Sequence, residues 1–168
     1  MRQKRKPLPS LPNRVKILFH GVGGEPVLPK KVNRIEENPP IYLVDDFLTE
    51  KEIQHLTDIC CHYKEDFVPS YTENNFNEEV LSEYRTSKFI YLSKGQDTIV
   101  RRVESKAANL VGLSEENIEP LQIVSYSDGQ MFDIHHDAGT LLEDGTVDLV
   151  QPRRIITLFL VCPHLALS

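Results

Sequence analysis

The sequence predicts an α+β fold in which two helices precede a run of antiparallel strands. Apolar residues recur at helical spacing in two stretches, which begin near residues 50 and 97. From Glu119 onward the pattern changes to short apolar runs separated by Asp-Gly pairs, which are typical of turns between strands. This order favours helices that support one face of an antiparallel sheet or jelly roll.

The first helix is predicted to begin at a capping box in the segment TEKE. The Thr49 hydroxyl can accept a hydrogen bond from a free helix N–H, and the Glu52 side chain can return to the backbone N–H of the cap. Apolar residues follow at helical spacing, namely Ile53, Leu56, Ile59 and Cys60. We therefore expect a helix of about four turns, preceded by a strand in IYLVDDFL.

The second helix is predicted from about Asp97 to Val111. Gly112 marks its end, because glycine tolerates the left-handed conformation that closes many helices. The segment RTSKFIYLS before it has a strand pattern. The polar stretch 69–84 has no sustained period and is predicted to be a surface loop.

The C-terminal part is predicted to consist of strands. The runs LQIVSY and QMFDIHHD flank Asp128-Gly129, which indicates a hairpin. A second Asp-Gly pair, at 144 and 145, leads to RRIITLFLVC, which reads as a nearly continuous apolar strand.

The chain of 168 residues, 40% of them hydrophobic, is long enough for one domain with its own core. Proline and glycine interrupt the first forty residues, so residues 1–39 are predicted to be a basic arm or linker and residues 40–168 the domain. No apolar run is long enough to span a membrane, and VKILF is too short for the core of a signal peptide.

Charge is distributed unevenly around a net value of −6. Residues 1–31 carry eight Lys or Arg and one acid, so the remainder carries 11 bases and 24 acids. An acidic body is a poor general binder of nucleic acid, because phosphate contacts need clustered Lys and Arg. The basic arm could be a nuclear-import or anionic-surface segment, but we favour a solvated tail interrupted by prolines.

The cysteines and the basic arm bear on the cellular compartment. Three cysteines, two of them adjacent, argue against a disulfide framework and are predicted to be reduced core residues. Reduced thiols and a basic arm fit the cytoplasm or nucleus.

The segment SYSDGQMFDIHHDAG contains the strongest chemical signal. Alternation along a strand would place His135 and Asp137 on one face and His136 on the other. An imidazole and a carboxylate on one face can supply two corners of a metal site, and a second histidine would complete the facial triad that leaves three positions open on Fe(II). A polar surface loop is the alternative.

Four blocks of the sequence, in order, resemble the prolyl 4-hydroxylase-like dioxygenases that depend on 2-oxoglutarate and Fe(II). They are NPPIYLVDDFLTEKEI, RTSKFIYLS, LQIVSYSDGQMFDIHHDAG and RRIITLFLV, and the resemblance runs from about Pro39 to Val161. It implies a double-stranded β-helix (jelly roll) supported by the two helices. It also implies that Fe(II), 2-oxoglutarate, O2 and auxiliary L-ascorbate hydroxylate proline in a peptide or protein, with 2-oxoglutarate decarboxylated to succinate. For some relatives the site of action is the endoplasmic reticulum.

The resemblance assigns roles to individual residues. His135 and Asp137 look like two of the three iron ligands, and Tyr126 matches a tyrosine near the cosubstrate. Arg85 and Ser87 match the RTS segment that lines the substrate groove. The alternatives are cross-strand packing for the tyrosine and a solvated strand start for RTS. Arg154 and Thr157 match the strand that follows the metal motif, and would otherwise be a strand-edge cation and a core hydroxyl.

The sequence departs from the family after this strand. In the family, a second ligating histidine and a basic residue that binds the cosubstrate lie on later strands, whereas only 31 residues follow Asp137 and His164 is their single histidine. We therefore expect a jelly roll that lacks its last strands, with an open edge that a partner or a second copy would cover. An inactive fragment that serves as a peptide-binding or regulatory subunit is the alternative function.

Overall fold

The computed structural model describes residues 14–19, 32–37, 39–73, 79–81, 83–135, 137, 139–141, 147–149 and 154–161. These residues form two α-helices and short antiparallel strands, which confirms the α+β class. The helices are α1 (Glu50–His62) and α2 (Thr98–Val111). The strands are β1 (Arg14–Phe19), β2 (Asn33–Glu36), β3 (Ile41–Asp45), β4 (Val68–Pro69), β5 (Tyr71–Glu73), β6 (Glu79–Leu81), β7 (Lys88–Tyr91), β8 (Gln122–Ser125), β9 (Gly139–Leu141), β10 (Val147–Leu149) and β11 (Ile156–Leu160).

Helix α1 begins at the predicted capping box. The backbone N–H of Glu52 donates to Thr49 Oγ1 at 3.3 Å, and the backbone N–H of Thr49 donates to Glu52 Oε2 at 2.7 Å. Glu52 Oε2 also accepts a hydrogen bond from Lys106 Nζ of α2 at 2.6 Å. Burial raises the pKa of Glu52, but the bonds from Lys106 and Thr49 outweigh it and hold the pKa below its ordinary value. One carboxylate therefore caps α1 and joins it to α2.

Helix α2 has the predicted boundaries. The Asp97 carboxylate accepts hydrogen bonds from the backbone N–H groups of Ile99 and Val100, and lies 2.8 Å from His55 Nε2 on α1. Burial raises the pKa of Asp97, yet these contacts together lower it below its ordinary value. Gly112 closes the helix at φ 68°, in the left-handed region that favours glycine.

Two groups of buried apolar side chains form the core. The first lies between the helices and β7, and contains Leu48, Leu56, Ile59, Cys60, Phe67, Ile90, Leu92, Val100 and Val103. The second contains Val15, Ile17, Tyr42 and Val111. Phe47 and Leu160 pack against both groups, so the two are continuous.

The larger sheet has the strand order β11-β1-β3-β2. Leu18 of β1 is the register partner of Thr157 of β11. Strands β1 and β2 fall within residues 1–39, which the sequence assigns to an arm. Val15 and Ile17 lie on the same face of β1 and are fully buried. The run VKILF, which is too short for the core of a signal peptide, is therefore long enough to form a buried strand.

Strands β4, β7 and β8 form a second sheet in the order β4-β7-β8. Strands β5 and β6 pair with each other within the stretch 69–84, so the prediction of a loop is wrong for those residues. Backbone hydrogen bonds between strands form whatever the side chains are, so a polar composition does not exclude a strand pair. Strands β9 and β10 form a further pair.

The predicted hairpin around Asp128-Gly129 is wrong in one respect. A turn is present, closed by the Gln130 N–H donating to Ser127 O at 3.0 Å, with Gly129 at φ 81°. However, QMFDIHHD does not return along β8 as a strand. Phe132 makes an isolated bridge with Arg85 instead, because the chain beyond the turn pairs with residues 84–86.

The described helices include none that is long and apolar enough to cross a membrane. Cys60 is buried, but Cys61 is exposed at the outer side of α1, so the prediction that the cysteines are core residues is wrong for Cys61. Cys162 and the Asp-Gly pair at 144 and 145 lie outside the described residues.

Candidate metal site

The His135 and Asp137 side chains meet, as the spacing predicts. His135 Nε2 lies 3.1 Å from Asp137 Oδ1. The His135 side chain is 44% exposed and that of Asp137 is 16% exposed, so the pair is accessible yet partly shielded from water. Their common orientation does not come from strand alternation, because residues 133–135 are irregular and Asp137 lies in a turn.

The second nitrogen of His135 fixes which ring atom faces Asp137. His135 Nδ1 lies 2.8 Å from the Asp133 backbone carbonyl oxygen. A carbonyl oxygen only accepts, so Nδ1 carries a hydrogen. In a neutral imidazole Nε2 then has a free lone pair, which faces a carboxylate oxygen. Two acceptor atoms that face each other in this way could both bind one metal ion.

Thr157 holds the other side of the carboxylate. Its hydroxyl donates to Asp137 Oδ2 at 2.6 Å. Thr157 lies on β11, which is held in register by β1, so the contact anchors the turn to the larger sheet. Hydrogen bonds of this kind orient metal-ligating carboxylates and leave the second oxygen for the metal. The sequence matched Thr157 to the family strand but did not predict this contact.

The pair fits two adjacent ligands of a metal ion. Ligand atoms about 2.1 Å from a metal and at a right angle to each other lie about 3.0 Å apart, close to the separation of Nε2 and Oδ1. Within the described ranges, however, no group of three or more His, Cys, Asp or Glu side chains could hold a metal. The described residues therefore bring together two side chains that could act as metal ligands, and no third.

Arg85 lies beside this pair of side chains. Phe132 stacks on His135 with ring centroids 3.8 Å apart and planes inclined by 15°. The guanidinium carbon of Arg85 lies 4.8 Å from the centroid of the Phe132 ring on which it packs. Arg85 also donates to Gln122 Oε1 at 3.2 Å. The structure thus brings the RTS segment next to the metal motif, 50 residues away in the sequence.

Ser87 is placed differently from the expectation that it lines a substrate groove. It is fully buried. Its hydroxyl accepts a hydrogen bond from Arg85 Nε at 3.2 Å, and its backbone carbonyl oxygen accepts from Ser70. The buried Ser87 hydroxyl therefore helps to hold the Arg85 side chain, and its contact with a substrate stays a prediction.

Tyr126 follows β8 and is 47% exposed. No hydrogen bond joins it to His135 or Asp137 in the part of the chain that the structure describes. Its predicted role near the cosubstrate stays a prediction. His136, predicted to point away from the metal, and His164 lie outside the described residues.

Arg154 forms a bidentate ion pair with Glu119, with distances of 2.8 and 2.9 Å. The hydrogen bonds to Glu119 raise the pKa of Arg154 above its ordinary value, and the negative charge of Asp137 adds to this effect. The Arg154 guanidinium therefore stays positively charged near Asp137.

A groove of about 360 Å³ lies elsewhere, along β7. Tyr63, Val68, Phe89 and Tyr91 contribute to its walls, while His135 and Asp137 do not. This groove is separate from the candidate metal site.

Comparison with known proteins gives several plant relatives. Prolyl 4-hydroxylase 2 of Arabidopsis thaliana is 36% identical over 110 residues, which cover 65% of this chain and 36% of the relative. Probable prolyl 4-hydroxylase 4 of the same plant is 35% identical over 112 residues, or 66% of this chain and 37% of the relative. For probable prolyl 4-hydroxylase 7 the identity is 37% over 109 residues, or 65% and 34%.

No protein-family model matches the chain. The matched part spans only about a third of the length of these relatives. Over that part the chain is similar to the prolyl 4-hydroxylases, which confirms the resemblance predicted from the sequence.

Proposed function

We propose that this chain carries part of the catalytic site of an Fe(II)- and 2-oxoglutarate-dependent dioxygenase of the prolyl 4-hydroxylase type. The observation that carries the proposal is the convergence of His135 Nε2 and Asp137 Oδ1 at 3.1 Å. When bound, Fe(II) with 2-oxoglutarate and O2 would supply the oxidant for hydroxylating a proline C–H bond, with ascorbate as auxiliary reductant. The family relatives support this chemistry.

The residues near His135 and Asp137 would each have a separate role in this site. His135 and Asp137 would hold the metal, while the Asp133 carbonyl group and the Thr157 hydroxyl keep the two ligands turned toward each other. Tyr126 would contact the cosubstrate. Arg85, held by Ser87 and Gln122, would face the proline-containing peptide.

The jelly roll belongs to the same proposal. Strand β11 is the end strand of the larger sheet among the described residues, and Phe159 on it is 53% exposed. An end strand with exposed apolar side chains pairs readily with another chain or segment. A partner or a second copy would cover this edge.

An inactive, peptide-binding fragment is the second candidate. It is favoured because, among the described residues, no group of three or more His, Cys, Asp or Glu side chains could hold a metal ion. Two ligands alone hold Fe(II) weakly.

Succinate formation separates the two functions. The chain would be incubated with Fe(II), 2-oxoglutarate, ascorbate and a proline-rich peptide, alongside His135→Ala. His62→Ala is the matched control, since His62 lies exposed in the last turn of α1. We expect turnover in the unaltered chain and in the control, and none in His135→Ala. Equal absence of turnover in all three would support the fragment.

A further inference from the structure

We propose that Phe132 is a positioning residue that couples Arg85 to the metal ligand His135. The inference rests on the proposed function, because it assigns peptide contact to Arg85 and metal binding to His135. If this is so, binding of a peptide at Arg85 changes the affinity for the metal at His135, and binding of the metal changes the affinity for the peptide.

The geometry begins with three side chains in a row. The Phe132 ring is stacked on the His135 imidazole at 3.8 Å, and the Arg85 guanidinium packs on Phe132 at 4.8 Å. A cation near a ring face is attracted by the ring's quadrupole, and stacked rings restrict each other's rotation. The orientation of the imidazole is therefore tied to the position of Arg85.

The backbone reinforces this connection. Phe132 is the bridge partner of Arg85, and the neighbouring Thr86 N–H donates to Met131 O at 2.9 Å. The Asp133 N–H donates to Tyr84 O at 2.8 Å. Since the Asp133 carbonyl group also contacts His135 Nδ1, both the ring face and one ring nitrogen of His135 are fixed by the segment paired with residues 84–86.

A second aromatic ring, that of Phe89, also packs on Arg85. The guanidinium carbon of Arg85 lies 5.1 Å from the centroid of Phe89, whose ring contacts Tyr91 edge-on at 5.5 Å. A peptide that engages Arg85 and changes its position would act on Phe132 and, through it, on His135. By linkage, a metal ion that fixes His135 favours the same arrangement of Arg85 by an equal factor.

The test replaces the Phe132 ring. Phe132→Leu removes the stack but keeps an apolar side chain, whereas Phe132→Tyr keeps the ring. Tyr63→Leu is the matched control, because Tyr63 is an exposed aromatic residue whose described ring contact is with His62, not with Arg85, Phe132 or His135. Two measurements are made on each folded variant, namely the NMR shifts of the His135 ring protons without metal and the affinity for Co(II) from its visible absorption.

We expect Phe132→Leu to remove the ring-current shift of His135 and to weaken Co(II) binding by about 10-fold. Phe132→Tyr and Tyr63→Leu should each retain both properties within about threefold. A proline-rich peptide should strengthen Co(II) binding to the unaltered chain but not to Phe132→Leu.

The two readouts distinguish the possible failures. Absence of the ring-current shift in the unaltered chain would overturn the inference. Retention of full Co(II) affinity in Phe132→Leu would also overturn it, as would an equal effect of the peptide on both chains. Failure of Co(II) to bind through His135 would instead contradict the proposed metal function, while the metal-free NMR result would still decide whether Phe132 positions the imidazole.

Discussion

Replacing Asp137 by alanine is expected to abolish turnover and to weaken Fe(II) binding by more than about 100-fold. The substitution removes Oδ1, one of the two converging ligand atoms, and also the acceptor of the Thr157 hydroxyl. Because loss of an outer-shell hydrogen bond alone typically costs 10- to 100-fold in metal affinity, loss of a ligand should exceed that range. Equilibrium dialysis and succinate formation measure the two effects.

Asp133→Ala is the matched control for this experiment. It removes a carboxylate two residues before His135, but keeps the backbone carbonyl group that contacts the ring. We expect metal binding within about threefold of the unaltered chain. Equal losses in Asp133→Ala and Asp137→Ala would mean that general negative charge, and not a ligand at 137, attracts the metal.

Replacing Lys106 by methionine is expected to destabilise the fold by about 3 kcal/mol. The Glu52 side chain is fully buried, and Lys106 is the cation that accompanies it at 2.6 Å. The substitution leaves a buried carboxylate with only its cap contacts to Thr49. Glu52 Oε1 already has no hydrogen-bond partner within the described structure, so the carboxylate is poorly compensated without the ammonium group. Urea unfolding at neutral pH measures the loss.

The ion pair between Glu52 and Lys106 predicts that the free energy of unfolding depends on pH. The contacts from Lys106 and Thr49 outweigh burial and hold the folded-state pKa of Glu52 below its ordinary value of 4.5. The stabilisation is therefore fully present above that value and is lost as the pH falls through the lower folded-state pKa. The difference between the unaltered chain and Lys106→Met should shrink in acid, because a protonated Glu52 no longer needs the cation.

Lys51→Met provides the control for this variant, since Lys51 is an exposed residue of α1. We expect it to change the unfolding free energy by less than about 0.5 kcal/mol at either pH. A loss as large as that of Lys106→Met would show that methionine in a helix, and not the missing ion pair, is responsible.

Local patterns were sufficient to predict the helices. The capping box at Thr49, the Asp97 cap and the Gly112 terminus all depend on residues within a few positions of one another. The same holds for the His135 and Asp137 pair, whose two-residue separation keeps the side chains within reach in a strand or in a turn. For this reason the candidate ligands could be named from the sequence although their predicted strand was wrong.

Contacts between distant segments could not be predicted in this way. The alternation of Val15 and Ile17 is compatible with a strand, but only packing against Tyr42 and Val111 makes Arg14–Phe19 part of the core. Ser87 was expected at a groove and is instead buried beneath Arg85, because burial depends on which segments cover a residue.

The sequence by itself therefore determined the two helices, the Thr49 cap, the Gly112 terminus, the resemblance to prolyl 4-hydroxylases and the identity of two candidate ligands. The tertiary structure alone decided that Thr157 holds Asp137 and that Phe132 joins Arg85 to His135. The physical reason is the separation in sequence between the residues that make each contact. Caps and adjacent ligands are fixed by the geometry of a single turn of chain, whereas these two contacts join residues 20 and 47 positions apart through the pairing of strands and loops.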